Sequence, residues 1–182
     1  MDLAVILGAV AIWAWYSRGD SRAAVGHDGL HGSVPPAGQR MPDLSMIRGI
    51  SPGLPAPRAL RGDRVLLVAT CLNCRSGDIV GGALRRLGAS NLPSGAQVVI
   101  AGWRGTAAAY RAKWSLPSRF VVHVASPGAA TTALTSTLHL DADAENASGY
   151  AFLYDTAGRW RSTFPAQLML PEDIVYDTRA IG

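Results

Sequence analysis

Cys71 and Cys74 are the two cysteines of a 182-residue chain, and they stand three positions apart in Val65-Leu66-Leu67-Val68-Ala69-Thr70-Cys71-Leu72-Asn73-Cys74-Arg75. Two thiols at this spacing can close into a disulfide and reopen. As a staple so short a loop constrains the unfolded chain relatively little, so the pair reads as dithiol chemistry rather than scaffolding. An apolar, β-rich run feeds the motif and a helical pattern follows it, which places the pair at a helix amino terminus. Free backbone N–H groups and the positive end of the helix dipole favour a thiolate there, and Arg75 adds a cation beside the motif. Cys71 is the expected nucleophile, the more exposed of the two, and Cys74, deeper, is the expected resolving thiol.

The elements that must hold such a site follow from periodicity. Residues 65–69 read as a strand apolar on both faces, as in a central parallel sheet covered by helices. Residues 78–87 read as a helix with Ile79, Val80, Ala83, Leu84 and Leu87 on one face, stopped by Gly88. A strand over 97–101, a helix over 106–114 closed by Pro117, a strand over 119–125 and a threonine-weakened helix over 129–138 continue the pattern. Strands over 150–154 and 160–164 are joined by Asp155-Thr156-Ala157-Gly158-Arg159, a hairpin with its glycine in place. The order is strand, helix, strand, helix, strand, helix, hairpin.

Composition limits the partners. With 48% hydrophobic residues the chain can bury a real core, and its net charge of +4 is carried almost wholly by arginine, Lys113 being the only lysine. No basic run of five or six residues occurs, so no nucleic-acid partner is expected. Residues 3–16 carry no charge and end in Trp13, Trp15 and Tyr16, the amphipathic rings that a membrane–water interface selects. The run is short for a span, so Met1 and Ser17 must help and the bilayer thin locally; the acidic Asp2 argues against a cleaved signal peptide. Arg18 and Arg22 after the span would, by the positive-inside rule alone, keep the following domain in the cytoplasm. Stable substrate disulfides belong outside it, and the extracytoplasmic, periplasmic-side placement is the one expected. The chain then divides into an anchor over 1–18, a Pro/Gly-rich linker or strap over 19–63, a domain over 64–165 and a tail over 166–182 that packs on the domain or a neighbour.

A parallel sheet ended by an antiparallel hairpin, with Cys-x-x-Cys where the first strand meets its helix, is the architecture of an α/β, thioredoxin-like domain with a central mixed sheet and flanking helices. The chain resembles the membrane-anchored thioredoxin-like thiol-disulfide oxidoreductases, and within them the methylamine-utilisation accessory redoxin type. The likeness is carried by the apolar amino terminus, by residues 29–38, by residues 66–74, where that family has a Thr-Cys-Pro-x-Cys type of site, and by Ala151-Phe152-Leu153-Tyr154-Asp155-Thr156-Ala157-Gly158. It implies an extracytoplasmic role in forming, reducing or isomerising disulfides of a partner protein during its maturation. It also implies a second redox partner and no cofactor beyond the Cys71–Cys74 pair. The place where such proteins carry a substrate-docking cis-proline falls at Gly149 or Tyr150, and since a non-proline cis bond costs about 3 kcal/mol, a trans loop is expected there. Thr70 stands where thioredoxin has tryptophan, Asn73 where it has proline, and Val65 near the usual buried carboxylate.

Those departures keep a rival reading open: a catalytically eroded accessory or structural subunit of a membrane complex, with Trp103, Trp114 and Trp160 as partner-facing candidates against core packing. Copper(I) delivery through the two thiols and His123 or His139 is a further alternative, although His123 among valines reads as a core histidine and His139 as a surface or capping residue. No metal is expected. His27 and His31, at i, i+4 among glycines, read as solvated loop residues, and Asp141, Asp143 and Glu145 as a solvated acidic turn. Ser51 and Ser126 have no positioned catalytic partners in the sequence, and Arg61-Gly62-Asp63 reads as the end of the linker.

Overall fold

The computed structural model describes residues 29–33, 63–125 and 149–181. The anchor expected over 1–18, most of the linker over 19–63, His27, His139, the acidic turn and the helix expected over 129–138 lie outside the described residues. Among the described residues no helix is long and apolar enough to cross a membrane.

The chain runs β1 (Arg64–Cys71), α1 (Arg75–Ala89), β2 (Ala96–Trp103), α2 (Ala107–Trp114), β3 (Val121–Ala125), β4 (Tyr150–Tyr154), β5 (Trp160–Pro165), a 3-10 turn (Ala166–Leu168) and α3 (Pro171–Ala180). The strands form one mixed sheet in the order β3-β2-β1-β4-β5. Central β1 pairs in parallel with β2 from Arg64↔Ala96 to Cys71↔Trp103, and antiparallel with β4 from Val65↔Tyr154 to Ala69↔Tyr150. Residues 65–71 of β1 are buried on both faces, as their unbroken apolar pattern requires. This is the mixed sheet with flanking helices expected of a thioredoxin-like domain.

The two faces of β1 feed different cores. Leu66 and Val68 join Val80, Ala83, Leu84 and Leu87 of α1, Tyr110 and Trp114 of α2 and Ile174 of α3. Val65, Leu67, Ala69 and Cys71 join Val99, Ala101, Trp103, Phe152 and Tyr154 on the opposite face. Ile79, expected on the buried face of α1, is instead 47% exposed. Val80, Leu84 and Leu87 already define the stripe at i, i+4, i+7, and a residue one position earlier is turned about 100° away from it.

His31 also departs from expectation. Its ring is only 18% exposed and Nδ1 lies 3.2 Å from Asp177 Oδ1, with Tyr176 edge-on at 4.4 Å. The buried Asp177 carboxylate accepts hydrogen bonds from His31 N (2.8 Å), Gly32 N (3.0 Å) and Ser162 Oγ (3.3 Å). Ser33 forms an antiparallel bridge with Thr163 on β5, and Leu30 is buried. Residues 29–33 are therefore latched across the outer edge of β5 to α3, which Pro171 starts and Glu172 and Asp173 favour electrostatically in its first turn.

The β4–β5 turn is organised by Asp155, whose carboxylate accepts from Ala157 N (3.0 Å), Arg159 N (2.9 Å), Arg159 Nε (2.9 Å) and Arg161 Nη1 (3.3 Å). Burial pushes this carboxyl up, but the bonds and charge from Arg159 and the bond from Ala157 outweigh it, and its pKa is lowered overall. A depressed carboxylate contributes stability that is present above its unfolded pKa and lost as pH falls through the folded one. Asp155→Asn should cost about 1–3 kcal/mol at pH 7 in urea unfolding, with the gap to the parent closing below about pH 4.

Candidate active site

Cys71 is the last residue of β1 and Cys74 is the N-cap of α1; the two are joined by a disulfide, with Cα atoms 5.6 Å apart. The strand ends here because Leu72 and Asn73 turn, and the helix begins at once, closing its first turn with Gly77 N donating to Cys74 O at 2.8 Å. The expected order of exposure is reversed. Cys71 is completely buried and Cys74 is 6% exposed. The cause is register: Cys71 continues the alternation of Val65, Leu67 and Ala69, so it points into the second core beside its cross-strand partner Trp103. Arg75, the first residue of α1, is exposed next to the motif.

Two close approaches fix the turn. A Cβ on Gly77 would lie 2.3 Å from the Cys71 carbonyl oxygen, so only glycine lets α1 begin this close to the end of β1. A Cβ on Gly149 would lie 2.4 Å from Val80 Cγ2 and 3.4 Å from Thr70 Oγ1, which brings the expected docking loop against the residue preceding Cys71. Among the described residues no peptide bond is cis. The Gly149 carbonyl accepts from Ala166 N at 2.8 Å, and Tyr150 pairs with Ala69 and stacks on Phe152. Val65, near the usual place of a carboxylate, is buried at 2% exposure, and the buried acids among the described residues, Asp155 and Asp177, serve the hairpin and the latch.

Several residues around the turn were not singled out for it by sequence reasoning. The Tyr110 hydroxyl lies 2.8 Å from Trp103 O and 3.2 Å from Thr70 O, so its proton is shared between the ends of β2 and β1. Burial drives its pKa well above the ordinary tyrosine range, against the backbone bonds that lower it, and keeps it a neutral donor. Among the described residues Thr70 Oγ1 and Trp103 Nε1 are buried with no hydrogen-bond partner. Lys113 Nζ lies 3.0 Å from Leu72 O, inside the Cys-x-x-Cys turn. Its status as the only lysine was the one available signal. Trp103 and Trp114 are core residues, and half-buried Trp160 donates from Nε1 toward Ser162 O and Thr163 Oγ1. His123 sits on β3 opposite Ala101, with its pKa lowered by burial. Among the described residues no group of three His, Cys, Asp or Glu side chains is placed to hold a metal ion.

The sheet order, the helices and a Cys-x-x-Cys at the strand-to-helix junction define a thioredoxin-like fold. Solved structures agree. The thioredoxin domain of a thiol-disulfide oxidoreductase from Bacteroides vulgatus is 12% identical, covers 80% of this chain and 96% of that chain, and superposes with a TM-score of 0.51. The apo Sco1 protein of Thermus thermophilus is 17% identical over 72% of this chain and 87% of that one, with a TM-score of 0.53. A secreted Mycobacterium tuberculosis disulfide oxidoreductase homologous to E. coli DsbE is 15% identical over 68% and 86%, with a TM-score of 0.50. At these identities the likeness is one of fold. No family model matches the chain, and no curated protein matches it.

The packing around α1 gives a paired expectation. Gly77→Ala should destabilise by about 1–3 kcal/mol, because the methyl group meets backbone that cannot move without displacing Cys71. Gly82→Ala in the same helix, where only the Arg86 guanidinium comes within 4 Å of the new Cβ, should stabilise by about 0.5–1 kcal/mol. Thermal unfolding of both oxidised variants checks the contrast.

Proposed function

We propose that the protein is a membrane-tethered thiol-disulfide oxidoreductase whose Cys71–Cys74 pair forms, reduces or isomerises disulfides in an extracytoplasmic partner protein during its maturation. The observation that carries this reading is the disulfide at the junction of β1 and α1 in a thioredoxin-like sheet. In the reducing direction the Cys71 thiolate attacks one sulfur of the substrate disulfide and expels the other as a thiolate, which takes up a proton. Cys74, as a thiolate, then attacks the Cys71 sulfur of the mixed disulfide and releases the second substrate thiol. Two electrons pass from the dithiol to the substrate, and a thiol-disulfide redox partner returns them; oxidation of a substrate runs the same steps backwards. Tethering rests on the apolar run 3–16 with its terminal Trp13, Trp15 and Tyr16, and outward placement on the chemistry of stable disulfides.

A second reading, an accessory or structural subunit of a membrane complex that does no turnover, is favoured by two observations. Cys71 is fully buried, and the Gly149 carbonyl is already engaged by Ala166.

Exchange with glutathione separates the two. The enzyme reading expects the full chain to equilibrate with a glutathione couple and to accelerate insulin reduction by dithiothreitol, with Cys71→Ser abolishing both. Cys74→Ser should accumulate a mixed disulfide on Cys71. A wild-type disulfide inert to glutathione would defeat the enzyme reading, and a mixed disulfide trapped only by Cys71→Ser would reverse the two thiol roles. For sidedness, a membrane-impermeant maleimide applied to intact, reduced cells should label the opened Cys71–Cys74 dithiol; labelling only after lysis would place the domain inside.

A further inference from the structure

We infer that Lys113 is the residue that tunes the dithiol, acting as a positioning and electrostatic group on the Cys71-Leu72-Asn73-Cys74 turn, with Asp78 as its counterweight. The inference deepens the oxidoreductase reading and rests on it for its functional meaning. All three N–H donors of the ammonium group have acceptors in place: Leu72 O at 3.0 Å, Asn73 Oδ1 at 3.4 Å and Asp78 Oδ1 at 2.9 Å. The two residues between the cysteines are thus both held by one side chain. That side chain comes from the last turn of α2, so it also ties α2 to the turn and, through Asp78, to the first turn of α1.

The residue type fits the task. Every other basic side chain of the Lys/Arg kind in this sequence is arginine. A planar guanidinium fork suits a carboxylate or two parallel acceptors, whereas three acceptors converging from a carbonyl, an amide and a carboxylate suit a compact ammonium with three rotatable donors. A cation in the last turn of α2 also complements that helix's dipole, which is a purely structural use of the same charge. The two uses differ in what they predict for the thiols. A charge held on the turn favours the thiolate and hence the reduced form, while a helix-end cation changes only stability.

The ionisable groups beside the turn are Arg75 and Asp78 in the first turn of α1, Arg104 in the loop after β2, and Tyr110 and Lys113 on α2; Arg85 and Arg86 lie further along α1, and Arg111 on α2 bonds the Pro117 and Phe120 carbonyls. Arg75 and Arg104 are exposed. Lys113, 38% exposed at its side chain, is the cation with hydrogen bonds into the turn, and Asp78, 74% exposed, is the anion paired with it. Removing the cation should therefore disfavour the thiolate, and removing the anion should favour it. Opposite signs from two contacting residues are not the signature of a loosened structure.

The test uses the full chain, reduced chemically and then alkylated with iodoacetamide across pH, beside equilibration with a glutathione couple. Lys113→Met should raise the pH of half-maximal alkylation of the reactive thiol by about 0.5–1 and make the disulfide about tenfold harder to reduce, a fall of about 30 mV. Asp78→Asn should move both readouts the other way by about threefold, and Lys113→Arg, which keeps the charge but not the three-donor geometry, should fall between Lys113→Met and wild type. If Lys113→Met does not fold, Asp78→Asn, a change at an exposed side chain, still decides the sign. Unchanged thiol reactivity in the variants, or shifts of the same sign in Lys113→Met and Asp78→Asn, would overturn the inference. Alkylation needs no turnover, so a wild type inert to glutathione would defeat the oxidoreductase reading while this assignment is judged on thiol reactivity alone.

Discussion

The rest of the structure depends on the double pairing of β1. A strand buried on both faces has no water to satisfy its backbone, so both edges must be hydrogen-bonded along its length. On the β2 side that requirement is met from Arg64 to Cys71. On the β4 side the pairing stops at Ala69, two residues short. Among the described residues the β4 ladder thus does not reach Thr70 and Cys71, and Gly149, which leads into β4, lies against Thr70. Cys71 occupies the point at the carboxyl end of β1 where the sheet's double pairing runs out.

Polar accounting differs between this end of the sheet and the outer edge. Asp177 is fully buried, yet two backbone N–H groups, a serine hydroxyl and a histidine surround it. Asp155 is similarly surrounded in the hairpin. Among the described residues Thr70 Oγ1, Trp103 Nε1, Arg64 Nε and Trp114 Nε1 are buried with no partner, and the first two belong to immediate neighbours of Cys71, one along the strand and one across it. A buried polar group without a partner costs about 1–3 kcal/mol, so the fold is well satisfied at the latch and the hairpin, while unmet groups lie both beside Cys71 and at Arg64 and Trp114.

This contrast also explains what could be read from the sequence. β1, β2, β4, β5 and the hairpin were legible because each is specified locally, by an apolar run or by Asp155-Thr156-Ala157-Gly158-Arg159, and the Cys-x-x-Cys announced its own place at a strand end. The contacts that were missed join distant positions. His31 and Asp177 are separated by 146 residues and Lys113 from Leu72 by 41, and no periodicity connects such pairs. The exposure of the cysteines failed for a different reason. A helix amino terminus suggests an open thiol, but Cys71 still belongs to the strand, and the two-residue alternation that buries Ala69 buries it too. Ile79 failed similarly, since a helical stripe is about 100° wide and an apolar residue beside it need not be covered.

Register has a further consequence for how oxidation state is felt. All the helices among the described residues, α1, α2 and α3, bury their apolar residues in the core that contains Leu66 and Val68. Both cysteines pack in the other core, with Trp103 and Tyr154. Cys74 is at the same time the N-cap of α1. The Leu72-Asn73 turn therefore carries the chain from one face of the sheet to the other, and the disulfide fastens the start of a helix on one face to a strand end that points into the opposite face. Cys71 pairs with Trp103 on β2, while the start of α1 carries the Gly77–Cys74 hydrogen bond, the packing of Cys74 in the second core and the Asp78–Lys113 ion pair. In the proposed dithiol chemistry, breaking the bond would unlink a helix start on one face of the sheet from a strand end that points into the other.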